Sequence, residues 1–486
     1  MLKREANRSA DKAICLCVDL DGTLIRSDSL AESFLALIAK NLFYCLLVPI
    51  WLLRGKAYLK RQIARRVDIE PSLLPYNEEL LRYLKAEKAS GRPLALATAA
   101  DELHANAIAE HLGIFDAVFA SDGDTNLSGS RKLDRLNAAF GVGNFDYAAN
   151  SKVDLPIWQS AREAIIVNPH SGVQAQAAKV ADVARVFDDR RGWFRQLVNA
   201  LRLHQWVKNV LIFVPLVLDH RINEPGLLIQ AFWAFCAFGF CASSVYILND
   251  LVDIAADRKH QTKRRRPFAS GRLPIALGTA MIPLLLAISL GFASLLPIEF
   301  LGGLGLYYLI TLAYTFRLKR VQIIDVIVLA GLYTMRIIAG GLAVDVTPSF
   351  WLLSFSMFFF LSLALAKRYV ELSAIQAQEM TKSHGRGYVA QDLETMAHFG
   401  INGGYIAILV LALYINSEDV TALYVHPEVI WLLCPIVLYL VSRIWLKARR
   451  NELHEDPVIF VLRDLRSQLM VAIGAILLWI ATVLPQ

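Results

Sequence analysis

From about residue 206 onward the chain is a succession of apolar runs separated by short polar loops, whereas residues 54–200 mix polar and apolar positions as a soluble domain does. The apolar runs fall at about 207–218, 228–248, 275–296, 299–315, 322–344, 350–366, 400–415, 429–446 and 469–484. All but the short first run approach the roughly 20 residues that a helix needs to cross about 30 Å of hydrocarbon. Nine crossings are therefore predicted. They place loops 249–274, 316–321, 367–399 and 447–468 on the side of the N-terminal region, and these loops hold 19 Lys or Arg residues. The opposite loops, 219–227, 297–298, 345–349 and 416–428, hold only Arg221. Short basic loops stay inside, so the N-terminal region and the four basic loops are expected in the cytoplasm, Gln486 outside, and the protein in the cytoplasmic (inner) membrane.

Composition agrees with that picture. Across 486 residues, 56% are hydrophobic and the mean hydropathy is +0.43, too apolar for a soluble chain of this length. The shift along the chain predicts a soluble domain at 1–190, an interfacial connector at 191–206 and a membrane domain at 207–486. Arg190, Arg191, Arg195 and Arg202 around Trp193 and Phe194 give the connector its basic, aromatic character. The net charge of +7 is spread over membrane-flanking loops, which argues against a nucleic-acid partner. Cys15, Cys17, Cys45, Cys236, Cys241 and Cys434 show no CxxC or metal-ligand spacing and read as small apolar fillers. The polar N-terminus leads into a short strand rather than an apolar core, so no cleavable signal peptide is expected.

The densest candidate chemistry follows the second apolar run. In Asn249-Asp250-Leu-Val-Asp253-Ile-Ala-Ala-Asp257 the three acids recur at helical spacing and would share one stripe. Like charges so placed repel and need a cation, and an oxygen-only set favours Mg²⁺ holding a substrate phosphate. Basic residues from Arg258 to Arg266 suit the charge of a bound diphosphate. Asp325, just inside the fifth run, and Arg336, about three turns on along the same face, are costly in a membrane and read as functional, or else as a buried pair.

Tyr246-Ile-Leu-Asn249-Asp250-x-x-Asp253-x-x-x-Asp257-Arg258, followed by Arg266-Pro267-x-x-x-Gly271, resembles the UbiA superfamily of intramembrane prenyltransferases. The resemblance covers roughly 195–486 and implies an all-helical, nine-span fold. Gln205-Trp206-Val207-Lys208-Asn209, His260-x-x-Lys263-Arg264-x-Arg266-Pro267 and the stretch from Leu332 to Gly341 are similar to the polyprenyl-phosphate (decaprenyl-phosphate) phosphoribosyltransferase branch. Aromatic prenyltransferases of the superfamily usually carry a second motif with two aspartates, where this chain has only Asp325. The resemblance implies transfer of a phosphoribosyl group from phosphoribosyl diphosphate to polyprenyl phosphate. Mg²⁺ would be bound by Asn249, Asp253 and Asp257 with Asp250 close by, and Lys208, Lys263, Arg264 and Arg266 would neutralise the leaving diphosphate. Asp325 would stabilise an oxocarbenium-like ribose, Arg336 would bind substrate, and Lys367 and Arg368 would take the donor's 5-phosphate, unless they are simple topology anchors. Two other readings stay open: a prenyltransferase using an aromatic acceptor, and a transporter or non-catalytic membrane partner, although no repeated halves are visible.

The soluble region carries a second motif. Strand-like Ala13-Ile-Cys-Leu-Cys-Val18 ends in Asp19-Leu-Asp21-Gly22-Thr23, which places two carboxylates at the carboxyl end of a strand of a parallel α/β sheet. DxDGT resembles the haloacid dehalogenase-like (HAD) hydrolases, a Rossmannoid fold. The resemblance implies Asp19 as phosphoryl-accepting nucleophile, Asp21 as general acid and base, Thr98 as phosphate-binding hydroxyl and Lys132 as charge-balancing lysine. Asp19, Asp21 and the outer acid Asp154 would hold Mg²⁺. Asn150 stands where many members have an acid, so a degenerate, structural domain is an alternative. A helical cap is expected at about 28–90. Its apolar stretch 34–53 would lie on or dip into the cytoplasmic leaflet, breaking near Pro49, or pair with another cap helix. Joined, the halves suggest that the phosphatase removes the 5-phosphate of the transferase's lipid-linked product.

Overall fold

The computed structural model describes residues 14–189, 192–260, 262–376, 387–417, 424, 426–453 and 456–483. Arg190 and Arg191 of the expected connector and the C-terminal Gln486 lie outside them. The chain packs as two compact units: one runs to Leu201 and takes in Tyr246–Ile282, and the other comprises Arg202–Val245 and the chain from Pro283.

The first unit is built on a parallel sheet of six strands. They are β1 (Cys15–Val18), β2 (Leu94–Asp101), β3 (Ala117–Ser121), β4 (Phe145–Ala149), β5 (Ala164–Val167) and β6 (Val183–Phe187), in the order β3-β2-β1-β4-β5-β6. β1 lies between β2 and β4, with Val18 opposite Leu96 and Ala148. The order changes direction at β1, so the residues beyond its carboxyl end open into a crevice. Both sheet faces are covered, which explains why β1 and β4 are buried throughout instead of alternating. This is the α/β Rossmannoid expected of the N-terminal region.

Helices α1 (Ser29–Lys40), α2 (Tyr44–Leu53) and α3 (Lys56–Ala64) follow β1. They enclose a small core of their own, with Leu37, Trp51, Leu59, Ile63 and Val67 at its centre. The next helix, α4 (Glu78–Ala89), differs: Leu80, Leu81 and Leu84 enter the sheet core with Leu16, Val18 and Leu94. Of the 28–90 stretch, then, α4 covers the sheet rather than capping it. Pro49 lies inside α2 and does not break it; the chain turns at Asn41 and at Gly55, whose φ of 109° suits only glycine.

Among the described residues nine helices are long and apolar enough to cross a membrane. The chain is an integral membrane protein. The boundaries match the apolar runs within a few residues except at three: the first helix extends over Trp193–Leu218, the sixth runs on to Ala374 and the seventh starts at Ala390. There an α-helix, Trp193–Leu201, meets a 3-10 segment, Leu203–Phe213, at Arg202, which adopts a left-handed φ of 51°. In the second unit small residues allow close helix approach, as lipid-embedded bundles require. A Cβ on Gly340 would lie 2.1 Å from the Ile212 carbonyl oxygen, and one on Gly400 2.0 Å from the Trp445 ring.

Candidate active sites

The first unit holds two sites. At the end of β1, Asp19 receives Lys132 Nζ at 2.9 Å, and the same ammonium reaches Tyr147 Oη at 3.0 Å and Asp154 Oδ1 at 3.9 Å. Tyr147 Oη donates to Asp154 Oδ1, while the Ser151 N–H and hydroxyl donate to Oδ2. Lys132 thus stands between two buried carboxylates brought from β1 and the turn after β4. Burial opposes its charge, but Asp19 and Asp154 outweigh burial and raise it. Burial also raises Asp19, against the pull of Lys132.

Asp21 is gripped by the first turn of α1: the Ser29 N–H donates to Oδ1 at 2.8 Å and the Ser29 hydroxyl to Oδ2 at 3.1 Å. Burial, reinforced by Asp28, pushes its carboxyl up to about 7 despite these donors. Asp21, Ser29, Ser33, Lys60 and His104 line a cavity beneath the cap. Lys60, from α3, donates to the Ala99 carbonyl at 2.5 Å and to Asn126 at 2.7 Å, and burial draws its ammonium down. Thr98 is buried, its hydroxyl oxygen accepting the Ala100 N–H. A Cβ on Gly22 would meet Asn150 Nδ2 at 2.2 Å, so the amide fills the space beside the DxDGT turn. Asp19, Asp21, Thr98, Lys132 and Asp154 are thus organised around the crevice, and Ser29 and Lys60 join them. A search for metal ligands alone misses both.

The second site is the 249–266 segment. The long Pro225–Val252 helix stops one residue before Asp253, and a short helix, Ile254–Lys259, begins after it. The helical hydrogen bonds Asp253 N to Asn249 O and Asp257 N to Asp253 O persist across the break. Asp250 and Asp257 are buried and share one partner: Arg266 Nη1 lies 3.0 Å from Asp250 Oδ1 and 2.7 Å from Asp257 Oδ2. Burial pushes Asp257 up to about 6, Arg266 opposing and Asp250 assisting. Asn249, Asp253 and Lys263 are half-buried and Arg264 is exposed. Arg258 points elsewhere, forming a two-pronged pair with Glu32 of α1 at 2.7 and 2.6 Å and donating Nε to the Ala269 carbonyl.

Among the described residues no three His, Cys, Asp or Glu side chains converge as a ready metal site. The protein's own cations hold four of the carboxylates: Lys132 lies between Asp19 and Asp154, and Arg266 between Asp250 and Asp257. Each arrangement nevertheless fits a hard cation. Two buried carboxylates already focus negative charge on one positive group, and all-oxygen donors are what Mg²⁺ takes.

In the second unit the predicted residues separate into three clusters. Asp325, fully buried, accepts from Arg368 Nε at 2.6 Å and from the Tyr388 hydroxyl, while Arg368 also reaches Glu371 at 2.5 Å and Tyr314 at 3.1 Å. Arg336 does not pair with Asp325; it donates to Asn209 Oδ1 at 2.9 Å, the Leu332 carbonyl at 2.5 Å and Tyr307 Oη at 3.0 Å. Lys208 and Lys367 converge on Asp456 at 2.8 and 3.1 Å. Burial works against the Asp456 charge, but the two lysines overcome it and hold the carboxyl well below its usual range. Lys367 and Arg368, expected to act together, therefore diverge: adjacent helical positions point about 100° apart, and only Lys367 keeps a partly open ammonium. Asp456, Asn209 and Tyr388 were not anticipated, although an Asp-Pro at the start of a helix is a visible N-cap signal.

Residues 211–482 match the UbiA prenyltransferase family. The "Uncharacterized protein y4nM" of Sinorhizobium fredii is 38% identical over 460 residues, which cover 94% of this chain and 89% of that protein. The "Nodulation protein NoeC" of Azorhizobium caulinodans is 33% identical over 56% of this chain and 88% of its own length. A "Decaprenyl-phosphate phosphoribosyltransferase" of Corynebacterium glutamicum is 37% identical over 181 residues, covering 36% of this chain and 54% of that protein.

Proposed function

The chain belongs to the UbiA prenyltransferase family, and from that premise we propose that it is a phosphoribosyltransferase acting on polyprenyl phosphate, fused to a phosphatase. In this reading residues 1–190 are the phosphatase, 191–206 the connector and 207–486 the transferase, with the catalytic loops in the cytoplasm. The observation that carries it is the state of Asp325. Both of its oxygens are taken by Arg368 and Tyr388, so it does not form a second open acidic site of the kind a prenyl diphosphate donor would use. The similarity to decaprenyl-phosphate phosphoribosyltransferase supports the same choice.

Asn249, Asp250, Asp253 and Asp257 would hold Mg²⁺, which neutralises a bound diphosphate and makes it a better leaving group. Arg266, Lys263 and Arg264 add counter-charge to the diphosphate as the bond from ribose C1 to its oxygen breaks and the electron pair departs with it. An oxygen of polyprenyl phosphate supplies the pair for the new C1–O bond. That acceptor is already anionic, so no base is needed. Lys208 and Lys367, pre-positioned by Asp456, suit a terminal phosphate. Asn209 Nδ2, buried and without a partner among the described residues, is a further donor for ligand oxygen. Arg336 orients Asn209, and Asp325 acts by positioning Arg368 rather than by facing the ribose.

In the phosphatase, Asp19, Asp21 and Asp154 would hold Mg²⁺ for charge neutralisation. Asp19 attacks phosphorus, the ester P–O bond breaks, and Asp21, protonated near neutrality, delivers its proton to the leaving sugar oxygen. Water then attacks the aspartyl phosphate and Asp21 takes a proton back. Lys132 compensates the charge at Asp19, and Thr98 holds phosphate oxygen.

Incubating membranes that contain the protein with labelled phosphoribosyl diphosphate, polyprenyl phosphate and Mg²⁺ tests the reading. Label should enter a lipid; label that enters none, alongside turnover of prenyl diphosphate with an aromatic acceptor, would refute it.

A further inference from the structure

Helix α2 has two apolar faces and one partner. Tyr44, Val48 and Trp51 point into the cap core, where Tyr44 and Trp51 rings lie 6.1 Å apart and Arg66 covers Trp51 at 4.8 Å. The opposite face carries Phe43, Leu46, Ile50 and Leu53, which are 76, 70, 53 and 89% exposed, against 7% for Trp51. Four large apolar side chains along eleven residues are too many to leave in water, because each is stabilised by burial. The helix is too short to span a bilayer.

We propose that α2 inserts into the acyl layer of an anionic lipid leaflet as a wedge. Charge favours lipid over protein as the occupant. From Lys40 to Val67 inclusive there are seven Lys or Arg residues and no Asp or Glu, and Lys40, Arg54, Lys56 and Arg65 are exposed beside the apolar face. That combination suits a negatively charged headgroup surface. The unit that bears α2 also includes residues 246–252 and 275–282, the ends of two candidate spans, so it is held at a membrane by its own chain. Only Arg54 and Gly55 join α2 to α3, and α3 carries Lys60 into the Asp21 cavity. Insertion of α2 would hold that cavity near headgroup depth, where a phosphomonoester on a lipid is within reach. This last step rests on the phosphatase reading; the insertion does not.

The test uses the full chain with its six native cysteines replaced by serine and Leu53→Cys labelled with an environment-sensitive fluorophore. It is reconstituted in vesicles of phosphatidylcholine and phosphatidylglycerol containing a nitroxide-bearing phospholipid. Insertion gives blue-shifted emission that the nitroxide quenches. Water-like emission, or a blue shift that depends on protein density and escapes the nitroxide, would overturn it, the latter pointing to a second copy on this face. A Leu46→Glu/Leu53→Glu variant should hydrolyse p-nitrophenyl phosphate as before but lose about tenfold or more on a lipid-linked phosphomonoester, since a charge in the acyl layer opposes insertion. Quenching without phosphatase activity on either substrate would sink the phosphatase reading and leave the wedge standing.

Discussion

Replacing Glu32 by alanine should disturb both catalytic motifs of the first unit. Glu32 and Arg258 retain 8 and 7% of their side-chain exposure and meet through two short hydrogen bonds. Removing one partner of such a pair costs about 3–5 kcal/mol, mostly because the survivor is left charged and dry. Arg258 keeps its bond to the Ala269 carbonyl at 2.8 Å, which favours the lower figure, about 3 kcal/mol. For a domain of this size that lowers the melting temperature by roughly 6–12 °C. Glu32 sits one turn beyond Ser29, which holds Asp21, and Arg258 follows Asp257, so sugar transfer should fall as well as phosphatase activity. Thermal melts of the detergent-purified wild type, Glu32→Ala, Arg258→Ala and the double variant give the coupling energy. The double variant should melt above the sum of the single losses, by a term on the order of 2 kcal/mol. A Glu32→Ala melt within about 2 °C of wild type, or strictly additive losses, would refute the reasoning.

Other outcomes follow from the same geometry. With Asp21 raised to about 7, hydrolysis of an alkyl phosphate, which needs the protonated acid, should fall up to about tenfold per unit above that pH. Phosphatase assays across pH 6–9 would show this, and a flat profile would count against Asp21 as the acid. For stability the sign is opposite to that of a paired carboxylate: the cost is absent below the ordinary value of 3.8 and grows until pH passes about 7. Asp456→Asn leaves Lys208 and Lys367 without their shared carboxylate and should change KM for phosphoribosyl diphosphate more than kcat. Steady-state kinetics would reveal a simple folding defect instead as lost protein with unchanged constants. Gly340→Val, whose Cβ would collide with the Ile212 backbone, should abolish recovery of monodisperse protein by size-exclusion chromatography, while Gly302→Ala, with open space around it, should not.

The long-range pattern was the most legible part of the sequence. The nine apolar helices among the described residues and the parallel α/β unit follow from hydrophobic run length and from strand-terminal acids, because both depend on local composition. The first span is the least legible, since its 3-10 geometry between Leu203 and Phe213 breaks the α-helical period, while the sixth and seventh helices run on into polar sequence beyond their apolar runs. Charge pairing was far less legible. Asp325 and Arg336 share a helix face, yet each prefers a partner from a distant segment, Arg368 and Asn209. Spacing along one helix says which groups could meet and nothing about better partners elsewhere. The spacing of the Asp stripe predicts a cation site, and Arg266 already supplies a cation to Asp250 and Asp257. Ser29 and Glu32 carried no visible signal, because their roles exist only once α1 is docked.

Mass spectrometry of lipids made by the purified chain in nanodiscs shows whether the chain transfers phosphoribose and then removes its phosphate. Given phosphoribosyl diphosphate, polyprenyl phosphate and Mg²⁺, the wild type should yield polyprenyl-phosphoryl ribose, and Asp19→Asn should yield the same lipid heavier by one phosphoryl group. Asp257→Asn should yield neither. A wild type that forms no sugar-bearing lipid, or an Asp257→Asn variant that forms as much as the wild type, would rule out phosphoribosyl transfer at the 249–257 motif.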